Sequence, residues 1–288
     1  MRLEHKLSSY KYYIGVTRPS NSVFLMFITL FTPFIIGATL NTLETIKLFL
    51  AALSFGLISA GAYALNDYYD IEIDKINKPT KVIPNKVVPA NKVKSLGIFL
   101  SIAGVLISSL TSLLVIFVLS VYLLILFFYN KKYKKTLLKN VIIGFACSTS
   151  VIVGVVISGA LNYVSILLMI FIVITTISRE IYKDIEDIKG DKNSGVFTIP
   201  LIKSSEFAFL ISSLLLTIVV FSSPIFYFLG FMELNYIIIV LFVNLLFLYC
   251  ILNPILNSRD RNIDASKLQK VCKLAMVVAF VGLILGRI

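Results

Sequence analysis

The sequence predicts an all-α membrane protein with nine transmembrane helices and a cytoplasmic N-terminus. Three observations carry this reading. Of 288 residues, 58% are hydrophobic and only 15% charged, whereas a soluble domain is nearer half apolar and a quarter charged. Apolar runs long enough to cross a bilayer, roughly 20 residues each, recur with short polar breaks. Of the 27 basic residues, all but Lys47 and Arg287 fall on one side of the resulting topology, which is the asymmetry of cytoplasmic loops.

Residues 1–19, with Leu3, Leu7, Tyr10 and Ile14 set among basic residues, have the pattern of an amphipathic helix lying at the membrane interface. Tyr10, Tyr12 and Tyr13 supply belt aromatics. The nine apolar runs are about 22–41, 46–65, 94–111, 113–130, 141–160, 163–182, 206–228, 234–256 and 268–286. Thr111-Ser112 and Asn162 leave so little chain between neighbouring runs that tight helical hairpins are expected there. The first run follows a polar segment and is too long for a signal-peptide core, so no cleaved leader is expected.

The net charge of +12 is thus the positive-inside signal, and nucleic acid has no place in the account. Cys147, Cys250 and Cys272 are far apart, with no metal-ligand or disulfide spacing. The one histidine, His5, lies in the polar N-terminal stretch, which excludes mechanisms built on a histidine base.

The acidic residues are the informative ones. Nine of the 15 fall in two windows. The first runs from Asn66 through Asp67, Asp70, Glu72 and Asp74. The second runs from Glu180 through Asp184, Glu186 and Asp187 to Asp191. Each contains D-x-x-D-x-x-x-D, an offset pattern that places three carboxylates on one face of a helix. Both windows close an even-numbered span, so both emerge on the cytoplasmic side, and their repetition implies two related halves, about 1–140 and 141–288, of a single domain. Like charges at these offsets repel, and they sit at the negative end of the helix dipole. Carboxylates near the bilayer are also costly. A divalent cation reverses all three penalties, and Mg²⁺ prefers carboxylate oxygens shared with substrate phosphates. An ordinary charged helix end would account for one such window but poorly for two of identical spacing. Glu72 and Glu186 lie off the aspartate face and read as solvated.

A pyrophosphate needs further cations. Arg18 opens Arg-Pro-Ser-Asn, ending at Asn21, before the first span. Lys78 and Lys81 follow the first motif. Tyr129 closes the fourth span ahead of Lys132, Lys134 and Lys135, and Lys139-Asn140 opens the fifth. Any positive-inside loop carries lysines, so spacing alone does not select among these.

Asn-Asp-x-x-Asp after the second span, the second aspartate motif after the sixth, Arg18-Pro19, the Tyr/Lys segment and Thr198-Ile199-Pro200 together resemble the UbiA prenyltransferase superfamily over essentially the whole chain. The resemblance implies nine helices around a central cavity that opens to lipid and is capped by cytoplasmic loops. It implies Mg²⁺ held by Asn66, Asp67, Asp70, Asp74, Asp184, Asp187 and Asp191, with Arg18 and one of Lys132, Lys134 and Lys135 on the pyrophosphate. Tyr129 and Asn140 match family positions near the substrate. Phe197 departs from the pattern, since a basic residue usually precedes Thr-x-Pro. Within the superfamily, Asp-Tyr-Tyr-Asp-Ile-Glu-Ile-Asp and Arg-Glu-Ile-Tyr-Lys-Asp-Ile-Glu-Asp look most like the archaeal enzymes that join a second geranylgeranyl chain to geranylgeranylglyceryl phosphate by an ether bond.

The expected chemistry is ionisation of an isoprenyl pyrophosphate by Mg²⁺ and basic side chains, followed by attack of an acceptor hydroxyl. The proton acceptor stays open between a motif carboxylate and released pyrophosphate. Three rivals are distinguishable. A UbiA-type enzyme with an aromatic quinone or haem precursor as acceptor shares all these residues. A transporter would place its acids near the bilayer midplane. A CDP-alcohol phosphotransferase would interleave glycines and an arginine with its aspartates. The expected partners are the two lipid substrates and the cell membrane, with no obligate protein partner.

Overall fold

A computed structural model describes residues 10–257 and 263–288. Leu3, His5 and Leu7, named above, and Arg2, Lys6, Arg259 and Arg261, counted above among the basic residues, lie outside the described residues. Every element among the described residues is helical, and eight helices are long and apolar enough to cross a membrane. The amphipathic entry helix α1 (Tyr10–Val16) meets α2 (Pro19–Ile35) at a 52° bend, and this bent pair is the ninth candidate. The bend sits at Arg18, whose φ of 47° and ψ of 61° are left-handed, an uncommon conformation for a residue with a Cβ. Pro19 then fixes the φ of the first helical turn.

The remaining spans are α3 (Thr42–Tyr69), α5 (Ala90–Ser108), α6 (Leu113–Lys131), α7 (Lys139–Ser158), α8 (Tyr163–Glu186), α11 (Ser205–Ser222), α13 (Leu234–Leu256) and α14 (Ala265–Leu285). The first and seventh spans depart most from their expected ends. The first span stops at Ile35 rather than 41, because Gly37 turns left-handed and Asn41 starts α3 with a capping box. There Asn41 accepts from the Glu44 amide and Glu44 reaches back to the Asn41 amide, both at 2.9 Å. The seventh run breaks at Ser223-Pro224 into α11 and the short α12 (Ile225–Phe228), since proline cannot continue the hydrogen-bond ladder. The expected hairpins form where Ser112 caps α6 and Asn162 caps α8.

Helices α3 and α5 meet through small residues. A Cβ on Gly61 would lie 2.6 Å from the Gly97 carbonyl oxygen and 2.5 Å from the Ser101 hydroxyl, so the two backbones touch as in other membrane helix pairs. Large side chains such as Leu113, Phe117 and Phe221 are exposed on the outside, as a lipid-facing surface requires. A core centred on Phe55, Ile58, Leu119 and Phe226 surrounds an interior cavity.

Both aspartate motifs sit where a long helix breaks. α3 ends at Tyr69 and the short α4 (Ile71–Asn77) follows. α8 ends at Glu186 and the short α9 (Ile188–Asn193) follows. The residue between is the middle aspartate each time, and Asp70 and Asp187 share one conformation, φ −94° and ψ 8°. This corrects the expectation of three carboxylates on one helix face: the third aspartate belongs to a separate short helix. The kink is soft, because the amides of Asp70, Asp74, Asp187 and Asp191 still bond four residues back, at 2.7–3.1 Å.

Candidate active site

The first and third aspartates of each motif converge on one lysine ammonium. Lys81 donates to Asp67 at 3.2 Å and to Asp74 at 2.6 Å. Lys139 lies 2.8 Å from Asp184 and 3.4 Å from Asp191. The middle aspartates are held from elsewhere, Asp70 by Lys134 and Asp187 by Lys78 at 2.9 Å. Lys78 belongs to the segment after the first motif, so this pair ties the two motifs together. Asn77 adds to the tie by donating to the Asp187 carbonyl at 3.0 Å and accepting from the Gly190 amide at 2.7 Å. Arg18 donates to Asp67 at 2.6 Å and stacks over Tyr63 at 5.2 Å. Asn140 donates to Asp184 at 2.8 Å, and Asn66 to Asn130 at 3.0 Å.

Asp67, Asp74, Asp184 and Asp191 are buried, although charged groups are seldom buried unless paired. In the short helices outside the spans, burial pushes the Asp74 and Asp191 carboxyls up from their usual range, against the pull of Lys81 and Lys139 respectively. Among the described residues, no three acidic side chains converge tightly enough to enclose an ion by themselves; lysine ammoniums stand between them. Six carboxylates thus face five cationic partners, a paired set with one net negative charge. This set by itself offers a polyanion no excess positive charge. Divalent cations taken up by the same oxygen donors would reverse the sign, and an oxygen-only donor set suits a hard cation. The residues therefore fit such an ion.

Beneath this acidic and basic mouth lies a cavity whose polar end is lined by Arg18, Asn21, Asn66, Tyr129 and Asn130. Its walls are apolar and aromatic: Phe24 meets Phe280 edge-on at 5.6 Å, and Phe171 lies 5.5 Å from Phe226. The Ser59 and Tyr122 hydroxyls satisfy each other at 3.0 Å within that wall.

The predicted site residues separate clearly. The six aspartates are paired at the mouth with Arg18, Lys78, Lys81, Lys134, Lys139 and Asn140, Asn66 bonds Asn130, and Asn21 and Tyr129 line the cavity beside them. Lys132 and Lys135 are exposed and stand apart; Lys132 stacks on Tyr133 at 5.7 Å. Glu72 is solvated and pairs with Lys75, and Glu186 is exposed, both as expected. Phe197 is 63% exposed, its amide bonded to the Lys135 carbonyl. Lys139, which repeats the role of Lys81, was not singled out from the lysines around it. Its one sequence signal is its place immediately before Asn140. Arg179, Lys183 and Lys273, together with Glu180 at the start of the second window, also line the cavity and carry no site assignment from the sequence.

Residues 24–280 match the UbiA prenyltransferase family. The chain belongs to that family. A digeranylgeranylglyceryl phosphate synthase of Sulfolobus acidocaldarius is 34% identical over 233 residues, covering 81% of this chain and 84% of that protein. A solved structure of digeranylgeranylglyceryl phosphate synthase in membranes superposes with a TM-score of 0.71 at 27% identity, over 97% of this chain and 99% of that one. A UbiA homolog from Archaeoglobus fulgidus bound to GPP and Mg²⁺ has a TM-score of 0.66 over 94% of this chain and 99% of that one, and at 17% identity it shows the shared fold alone. The family fold accounts for the all-helical, multi-pass architecture described above.

Proposed function

We propose that this chain is a Mg²⁺-dependent intramembrane prenyltransferase that moves a geranylgeranyl group from its diphosphate to geranylgeranylglyceryl phosphate, forming an ether bond. The observation that carries the reading is the doubled arrangement at the cavity mouth, where a buried aspartate pair shares one lysine in each motif. The identity to digeranylgeranylglyceryl phosphate synthases supports the choice of substrates.

Asn66, Asp67, Asp70, Asp74, Asp184, Asp187 and Asp191 would hold Mg²⁺, which when bound supplies Lewis-acid neutralisation of the diphosphate. Arg18, Lys78, Lys81, Lys134 and Lys139, which pair with those aspartates, would face the diphosphate oxygens and offset charge as the leaving group departs. The bond from the prenyl carbon to the diphosphate oxygen breaks, and one forms from that carbon to the acceptor oxygen. The hydroxyl proton leaves to a motif carboxylate or to the diphosphate. The aromatic cavity holds the prenyl chain and keeps water from the electron-poor carbon. The placement of basic residues supports a cell-membrane topology with the N-terminus and the mouth on the cytoplasmic side. The matching breaks at Asp70 and Asp187 support a single domain of two pseudo-repeated halves.

The test incubates purified protein with radiolabelled geranylgeranyl diphosphate and Mg²⁺, offering geranylgeranylglyceryl phosphate or 4-hydroxybenzoate in parallel. An EDTA-sensitive, doubly prenylated glycerol phosphate is expected. Product with the aromatic acid alone would overturn the acceptor, and no product with either would overturn the reading.

A further inference from the structure

On the cavity wall beside the aspartate mouth lies a second polar cluster that the diphosphate site does not use. Arg179 and Lys183 share the buried Glu180, at 2.8 and 3.1 Å. Arg179 also donates to Gln269 at 3.2 Å, one helical turn before Lys273 on α14. Lys273 donates to Asn21 at 2.5 Å and to Ser20 at 3.3 Å. Among the described residues those partners are neutral, so Lys273 makes no ion pair there. Arg179, Glu180, Lys183, Lys273 and Asn21 all face the cavity.

Three features ask for an anion. A lysine inside a membrane helix without a counter-charge is costly, and such residues mark substrate sites. The Nε of Arg179 is buried with no hydrogen-bond partner, and a buried donor left unmade carries a penalty that a ligand oxygen removes. Three cations against one carboxylate leave a net charge of plus two, which complements a phosphomonoester of about −1.5 to −2 near neutral pH. The aspartate mouth is net negative without metal, so it cannot hold that group by its own charge.

We propose that Arg179, Lys183 and Lys273 form the binding site for the phosphomonoester of the acceptor lipid, holding its free hydroxyl toward the mouth where the prenyl group is released. This rests on the prenyl-transfer reading above. It assigns the two anionic groups of the reaction to two separate sites in one cavity, the diphosphate to the aspartates with their cations and the acceptor phosphate to α8 and α14. Glu180 pairs with Arg179 and Lys183 while the acceptor is absent.

The test compares geranylgeranylglyceryl phosphate with geranylgeranylglycerol, the same lipid lacking phosphate, in wild type and in the variants Lys273→Met and Arg179→Gln. Wild type should prefer the phosphorylated acceptor. In each variant kcat/KM for that acceptor should fall about ten- to hundredfold, the range for a lost charged hydrogen bond, while the dephosphorylated acceptor and the KM for geranylgeranyl diphosphate change by less than about twofold. A folding defect would lower both acceptors equally and leave the preference intact, which overturns the assignment, as does an unchanged preference at full activity. If wild type transfers to neither lipid, the prenyl-transfer reading falls and takes this site with it. If it transfers to the phosphorylated lipid while the variants keep their preference, only the site falls.

Discussion

Lys139→Met separates the two roles this account gives one side chain. Lys139 is 13% exposed and bridges Asp184 and Asp191, themselves 5% and 7% exposed. Removing one partner of a buried pair costs about 3–5 kcal/mol, because an uncompensated charge is left behind. The lower end applies here, since Asn140 still donates to Asp184. At about 2–4 °C per kcal/mol, the metal-free variant should melt about 6–12 °C below wild type. Mg²⁺ held by the carboxylates the variant leaves open would, at a hundred times its dissociation constant, return about 2.7 kcal/mol. Wild type must first displace Lys139, so it gains less and the gap narrows. With no tryptophan in the chain, melting is best followed by a thiol-reactive dye on the buried Cys250 and Cys272. Activity should stay low with Mg²⁺, because the lysine owed to the diphosphate is absent. A gap that Mg²⁺ leaves unchanged or widens would refute the idea that Lys139 holds the place of a metal ion.

The shared conformation of Asp70 and Asp187 predicts that Asp70→Asn and Asp187→Asn lower kcat alike, by at least about a hundredfold, in a transfer assay at saturating Mg²⁺; one variant near wild type would break the symmetry. Lys132→Ala and Lys135→Ala, both at exposed positions, should keep kcat/KM within about twofold. Gly61→Val should lower the melting temperature and the folded yield in detergent, because its side chain has no room against Gly97 and Ser101.

The nine apolar runs and the paired 0, 3, 7 spacing of the aspartates were legible because hydropathy and charge act locally in sequence. Neither motif holds a proline or a glycine at its middle aspartate, so nothing in the pattern announced the breaks at Asp70 and Asp187. At those breaks the two carboxylates pair with Lys134 and Lys78 from other segments, contacts that spacing does not show. The choice of Lys134 over Lys132 and Lys135 turns on the single 3₁₀ turn Tyr133–Lys135, which spacing cannot resolve. Lys139 and Lys273 were hidden by the charge rule behind the expected topology: once basic residues are assigned to loops, a lysine that bends into the cavity looks like any other. The α1–α2 bend was half visible in Arg18-Pro19. Its left-handed arginine and the pairing of that arginine with Asp67, distant in sequence, were not.

The central claim is that the lysine-bridged aspartate pairs are the metal and diphosphate sites. The most direct measurement is anomalous scattering from Mn²⁺ in crystals grown with a non-reactive thiolo analogue of geranylgeranyl diphosphate. Mn²⁺ is expected against Asp67 and Asp74 and against Asp184 and Asp191, with Lys81 and Lys139 turned onto the diphosphate. Lys81 and Lys139 still bridging their aspartates, with the metal bound elsewhere or absent, would contradict it.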